Sequence, residues 1–206
     1  VIIAVNLIII FGAMSESASE PPEIGIWGFK AKMIYLEKRI PLKLFTDDSY
    51  VFSQQSYPLN YPLFMSWLYF CMEDANDYLI KFVPAFLAVL ISFLLYEILR
   101  CVGCGNIRSA VLTIIFIANF EFARGSVVLY AENLLILYVL AGFFLLSRCF
   151  SGRDGDDVLF VLGLVMLAGA AWTKNEGLMI FCAAIISFIL SAGLKRVIRR
   201  KNLAAF

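Results

Sequence analysis

The residues of this chain that could do chemistry are carboxylates and cations set at the ends of apolar runs. They are Glu20 and Glu23 ahead of the segment IGIWGFKAKMIYLEK, Lys30 and Lys32 within it, Asp47 and Asp48, Glu121 and Arg124, Glu132, and the turn WTKNEG at 172–177. A carboxylate can accept or return a proton, and an ammonium or guanidinium can hold an anion. Most carboxylates at such boundaries are simply solvated. Glu132 and Glu176 stand apart because each abuts an apolar block, where an ionised group is costly and tends to mark a site. For Lys174 and Glu176 an interfacial ion pair is an equally good reading. The chain has no histidine, which excludes His-based catalysis and any His metal site. Its five cysteines are scattered. Cys101 and Cys104 form a single CxxC, but a zinc site needs four ligands, so they read as small apolar residues at a helix end.

The elements that must position these groups are greasy. Of 206 residues, 62% are hydrophobic and 16% charged, where a soluble domain is nearer half apolar and a quarter charged. Blocks such as FLAVLISFLLYEIL and LLILYVLAGFFLLS are too long for core strands. The fold class is therefore all-α: a polytopic transmembrane helix bundle. A net charge of +1 gives no electrostatic case for nucleic acid. Apolar blocks fall at about 1–13, 79–99, 109–120, 133–147, 157–172 and 178–194, and a long loop covers about 14–78. Several blocks are shorter than the roughly 20 residues of an ideal span, so tilt or flanking residues must extend them. Glu121 and Arg124 fit either the outer end of the third block or an interruption of one longer segment. VIIAVNLIIIFGA gives only about 20 Å of helix and lacks a basic n-region, so it reads as a span whose beginning is missing. The whole then reads as the N-terminal transmembrane part of a longer protein.

Orientation follows from basic residues in the short loops. One set of alternate loops holds Arg100 and Arg108, Arg148 and Arg153, then Lys195, Arg196, Arg199, Arg200 and Lys201. The opposite set holds Arg124 and Lys174. The first set is assigned to the cytoplasm and the 14–78 loop to the other side. Within that loop, Ile24, Trp27, Ala31, Ile34 and Tyr35 fall at helical spacing, with Lys30 largely off the stripe. Such a helix would lie in the membrane interface with Trp27 at headgroup depth. A second helix, PLFMSWLYFCM, is apolar nearly all round and must be covered by protein or dip into lipid. Between them SYPLNYPLF, at 56–64, holds Tyr57 and Tyr61 extended ahead of two prolines, the second of which can open a helix.

Four stretches carry a resemblance: PPEIGIWGFKAKMIY, SYPLNYPLF, LYAENLLILYV and AWTKNEGL, running in order from about 21 to 180. Together they resemble the GT-C glycosyltransferases that use polyprenyl-phosphate sugars, in the branch of protein O-mannosyltransferases and aminoarabinose transferases. The resemblance implies a membrane transferase that passes a sugar from a polyprenyl-phosphate carrier to a glycan, lipid or protein acceptor on the outer face of a bacterial plasma (inner) membrane. It implies that a first-loop carboxylate, Glu23, takes the acceptor's proton, and that Glu132, where the family has Asp, steers the acceptor or helps coordinate a divalent metal. Lys30, Arg124, Lys174, Glu176, Tyr57 and Tyr61 would then bind the donor and its lipid phosphate, with membrane lipids around them.

One departure stands out. The family's first-loop acid pair begins with Asp, and here Pro22 takes that position with Glu23 next. Either Glu23 serves as the base or the chain is catalytically compromised. A transporter or flippase of a lipid-linked substrate is the rival reading, and a non-catalytic membrane protein of the same fold is the third. Prolines gathered in the loop and acids at span ends favour the enzyme. The topology has a direct test. In a background without the five native cysteines, Ser49→Cys should react with a membrane-impermeant maleimide on intact cells. Reaction only after the membrane is opened would reverse the orientation.

Overall fold

The computed structural model describes the backbone of residues 2–15, 23–150 and 156–203, and the side chains of 2–15, 25–149 and 157–190. Among the described residues all regular structure is helical. The chain begins with α1 (Ile2–Ser15), and a π-helical turn (Glu23–Trp27) leads into α2 (Gly28–Glu37). The short α3 (Lys43–Thr46) and a 3-10 turn (Asp48–Ser53) precede α4 (Asn60–Met72). A second 3-10 turn (Leu79–Lys81) runs into α5 (Phe82–Cys101), followed by α6 (Asn106–Ile117) and the short α7 (Phe120–Gly125). The last three helices are α8 (Glu132–Phe150), α9 (Asp156–Ala171) and α10 (Asn175–Leu203).

Two stretches, Leu79–Cys101 and Glu132–Cys149, are long and apolar enough to cross a membrane. Ile2–Ser15, Asn106–Ile117, Asp157–Ala171 and Asn175–Leu190 are apolar but shorter. The two alternatives for the third block resolve into two helices. Asn119 is extended and its side-chain oxygen accepts from the Glu121 and Phe122 amides, which ends the run of α6 and caps α7. Glu121 and Arg124 therefore sit on a separate short helix.

The bundle is held by close helix contact. Lipid tails are as apolar as side chains, so membrane helices gain from tight packing more than from hiding grease. At the α8–α9 seam Gly142 and Gly163 face each other. A Cβ on Gly142 would lie 2.7 Å from Leu167 Cγ and 3.1 Å from the Gly163 carbonyl oxygen. A Cβ on Gly163 would meet Leu146 Cγ at 2.8 Å. α8 also packs on α5, and α1 and α6 pack against α5 in turn. The apolar α1–α5 seam carries one polar link, from Asn6 Nδ2 to Ser92 Oγ at 2.8 Å.

The loop is folded into a helical cap. α2 packs on α4, and Trp27, Ala31, Tyr61 and Met65 meet Val83 at the start of α5 and Leu134 at the start of α8. Three expectations change here, the first being that Tyr61, expected extended ahead of Pro62, is already helical as the second residue of α4. Trp27 is only 3% exposed, stacked on Tyr57 with ring centroids 5.4 Å apart and edge-on to Tyr61 at 6.0 Å. It anchors the cap rather than facing lipid headgroups, and the tryptophans that face outward are Trp67 on α4 and Trp172 after α9. Lys30, expected off the apolar stripe, lies within the packed face with Trp27, Ala31 and Ile34, at i, i+3, i+4 and i+7. The glycine seam yields a prediction. Gly163→Ala must push Leu146 and the α8 backbone away, so it should cost about 1–3 kcal/mol and lower Tm in detergent. An unchanged Tm would show that the seam yields freely.

Candidate active site

The site is built on the turn between α9 and α10. The Trp172 amide donates to Ala168 O, and the Thr173 and Lys174 amides both donate to Ala170 O, so the chain coils tightly off the end of α9. Gly177 lets α10 start against that turn, because a Cβ there would collide with the Ala170 carbonyl. The turn buries Thr173 fully and leaves Lys174 9% exposed. Lys174 Nζ donates to Glu132 Oε1 at 2.9 Å and stands 3.6 Å from Glu176 Oε1. The same ammonium lies 5.8 Å from the centre of the Tyr57 ring, a cation–π placement. Burial pulls the Lys174 pKa down, but the bond to Glu132 and the charges of both glutamates outweigh it and hold the value above that of an ordinary lysine. Lys174 thus stays a cation.

Glu132 opens α8, where the partial positive charge of a helix N-terminus suits a carboxylate. Its side chain is 46% exposed, so solvent screening limits the pair with Lys174 to about 1 kcal/mol. Its second oxygen, Oε2, is buried and accepts no hydrogen bond. Next to it Asn133 is buried and ties the start of α8 down. Asn133 Nδ2 donates to Pro84 O at 3.2 Å, to Gly125 O at 3.3 Å and to Ser126 Oγ at 3.2 Å. A cavity of about 320 Å³ opens beside them between α6, α7 and α8. Glu121, Arg124, Tyr130 and Glu132 supply its polar wall, and Phe116 and Ile136 part of its apolar one.

The expected site residues fall into three groups. Lys174, Glu132, Glu176 and Tyr57 come together around one ammonium, and Arg124 shares the cavity wall with Glu132. Lys30 and Tyr61 do not reach an open face, since both are fully buried. Lys30 Nζ donates to the Gln54 carbonyl at 2.8 Å and to the Tyr57 carbonyl at 3.4 Å, and Tyr61 packs edge-on against Trp27. These two shape the loop from inside. Glu23 opens the turn that leads into α2, and its side chain, like Pro22, lies outside the described residues. Among the described residues no three His, Cys, Asp or Glu side chains gather as a metal-ligand set.

Three residues near the site lie inside resemblance-carrying stretches without standing out there as site residues: Asn60, Tyr130 and Asn133. Asn60 stands between the two tyrosines of SYPLNYPLF and reads as part of a rigid linker. Tyr130 and Asn133 flank Glu132 in LYAENLLILYV.

The model of the dolichyl-phosphate-mannose-protein mannosyltransferase family matches residues 56–203, well over half of the chain. The chain belongs to this family. No curated protein and no solved structure matches it. The matched segment begins at Ser56, so it takes in Tyr57, Tyr61, Arg124, Glu132, Lys174 and Glu176 and leaves Glu23 and Lys30 outside. Membership in this mannosyltransferase family makes the chain part of a glycosyltransferase family of integral membrane proteins, and favours the enzyme over the transporter.

Lys30 gives a pH prediction. Burial draws its pKa from 10.5 to about 8. Below about 8 the folded and unfolded states both carry the proton; from there to 10.5 only the unfolded state keeps it. Unfolding then takes up a proton, so stability rises with pH across that window. The Tm of the wild type relative to that of Lys30→Met should climb between these two pH values. A flat difference would show that Lys30 is not held as described.

Proposed function

We propose that this chain carries part of the active face of a transferase that moves a sugar from a polyprenyl-phosphate carrier to an acceptor hydroxyl. The face is the capped end of the bundle, and it lies on the outer side of a bacterial plasma membrane. The observation that supports this best is the ammonium of Lys174. It is held as a cation between the Tyr57 ring and Glu132, the carboxylate that with Arg124 lines the neighbouring cavity. The family's name specifies mannose as the sugar and protein as the acceptor, and both are adopted here as the working substrates.

In the reaction the acceptor oxygen forms a bond to the anomeric carbon. The bond from that carbon to the phosphate oxygen breaks, and its electron pair leaves on the lipid phosphate. Glu23 takes the acceptor's proton as the attack proceeds. The departing phosphate gains negative charge, which Lys174 and Arg124 offset. The Lys174–Glu132 pair opens to solvent on its Glu132 side, so a phosphate dianion can approach from there and take over the ammonium. Glu132, freed from Lys174, then accepts hydrogen bonds from acceptor or sugar hydroxyls. Tyr57 and the apolar side of the cavity favour the first isoprene units over water.

The test uses the full-length protein. Glu23→Gln should slow transfer by about 10²–10⁴-fold while binding of the lipid-linked donor is kept. Near-normal transfer by that variant would remove Glu23 as the base. Absence of transfer from every polyprenyl-phosphate sugar offered to the wild type would overturn the reading itself.

A further inference from the structure

We propose that Asn60 is a positioning residue: by hydrogen bonding across to Thr173 and Gly169 it locks the first loop to the α9–α10 turn and so aims Lys174 at Glu132. The inference rests on the functional reading above for its catalytic consequence, and on geometry alone for the lock.

Asn60 Nδ2 donates to Thr173 Oγ1 at 2.9 Å and to Gly169 O at 3.3 Å. Thr173 Oγ1 donates its own proton to Gly169 O at 2.7 Å, so its lone pairs are left for Asn60. Thr173 is fully buried, and the amide and the hydroxyl come from positions 113 residues apart. Both neighbours of this lock are site residues. Tyr57 stands three positions before Asn60, and Lys174 directly follows Thr173. The lock therefore fixes the aromatic ring of the loop against the turn that carries the ammonium, and so sets how that turn presents Lys174 to Glu132 on α8. The Lys174 side chain is long and flexible, and an exposed ion pair alone holds such a chain weakly. A partly buried side-chain bond one residue away restrains the backbone that carries it. Without Asn60, the hydroxyl of Thr173 still reaches Gly169, so the turn keeps its local shape and loses only its register against the loop. The expected defect is in the aim of Lys174, with the fold intact.

The experiment compares full-length wild type, Asn60→Ala, Thr173→Val and Thr173→Ser in detergent. Lysines are acylated with an N-hydroxysuccinimide ester and quantified by peptide mass spectrometry. In Asn60→Ala and Thr173→Val, Lys174 should react about tenfold faster, the factor one net side-chain hydrogen bond is worth. Lys32, paired to Asp77 in the same cap, should keep its wild-type rate, and Thr173→Ser should behave as wild type. With a polyprenyl-phosphate mannose donor, kcat in the first two variants should fall by about the same factor while KM for the acceptor stays unchanged. Unchanged Lys174 labelling in Asn60→Ala and Thr173→Val would overturn the lock, and so would equal acceleration at Lys32 and Lys174, which marks general opening. Faster labelling with kcat intact would overturn the positioning role. Failure of the wild type to transfer any sugar strikes the functional reading instead, and the labelling rates still decide the lock.

Discussion

A single ammonium has to be satisfied at the junction of three distant segments, and the capped end of the molecule is arranged around that need. Lys174 is nearly buried, and a buried charge requires a partner or it sheds its proton. Glu132 from α8 supplies the main one, Glu176 from the start of α10 a weaker one, and Tyr57 from the first loop an aromatic face. Each comes from a different segment, so their meeting fixes how loop, α8 and the α9–α10 turn sit together. The pair is also left half open on the Glu132 side. A fully buried pair would hold Lys174 too firmly to release it to a phosphate.

The apolar bundle beneath meets a different demand. In a lipid environment burial of grease gives helices no reason to associate, so closeness of approach must do it. Gly142 and Gly163 remove the side chains that would keep α8 and α9 apart, and Gly177 brings α10 onto the end of α9. The turn that carries Lys174 is thereby delivered beside Glu132 at the start of α8. Above the bundle the cap packs by water-driven burial instead. Trp27, Tyr57 and Tyr61 interlock there, and Lys30 sits inside because two loop carbonyls need a donor. The cost of that burial shows in its lowered pKa.

The family relation and the geometry meet on the same residues. The matched segment starts at the tyrosine–proline element and runs through Glu132 and the Lys174 turn. The loop helix that bears Lys30 lies before it, and its inward lysine is a structural part of the cap. Arg124 reaches the cavity because Asn119 breaks the chain and starts a short helix in a new direction.

Sequence by itself determined the class of the molecule and where its charges could lie. Hydropathy in long blocks leaves the helix as the only open-ended way to satisfy a backbone in lipid, so the all-α fold was legible. The positions of Glu132 and Lys174 at block ends were legible for the same reason, as was an aromatic, proline-stiffened loop. Periodicity was less reliable for α2, since it counts apolar residues and takes a lysine for a solvent residue. Only the tertiary structure could show Lys30 turned inward, because the carbonyls it serves are 24 and 27 residues away in sequence. The partner of Lys174 was decided there too. Glu176, two residues on, was the neighbour in sequence, yet Glu132, 42 residues away, holds the shorter contact. That choice depends on the glycine contacts that set α9 against α8. Spacing along a chain reports which face a residue occupies, and only packing decides what that face meets.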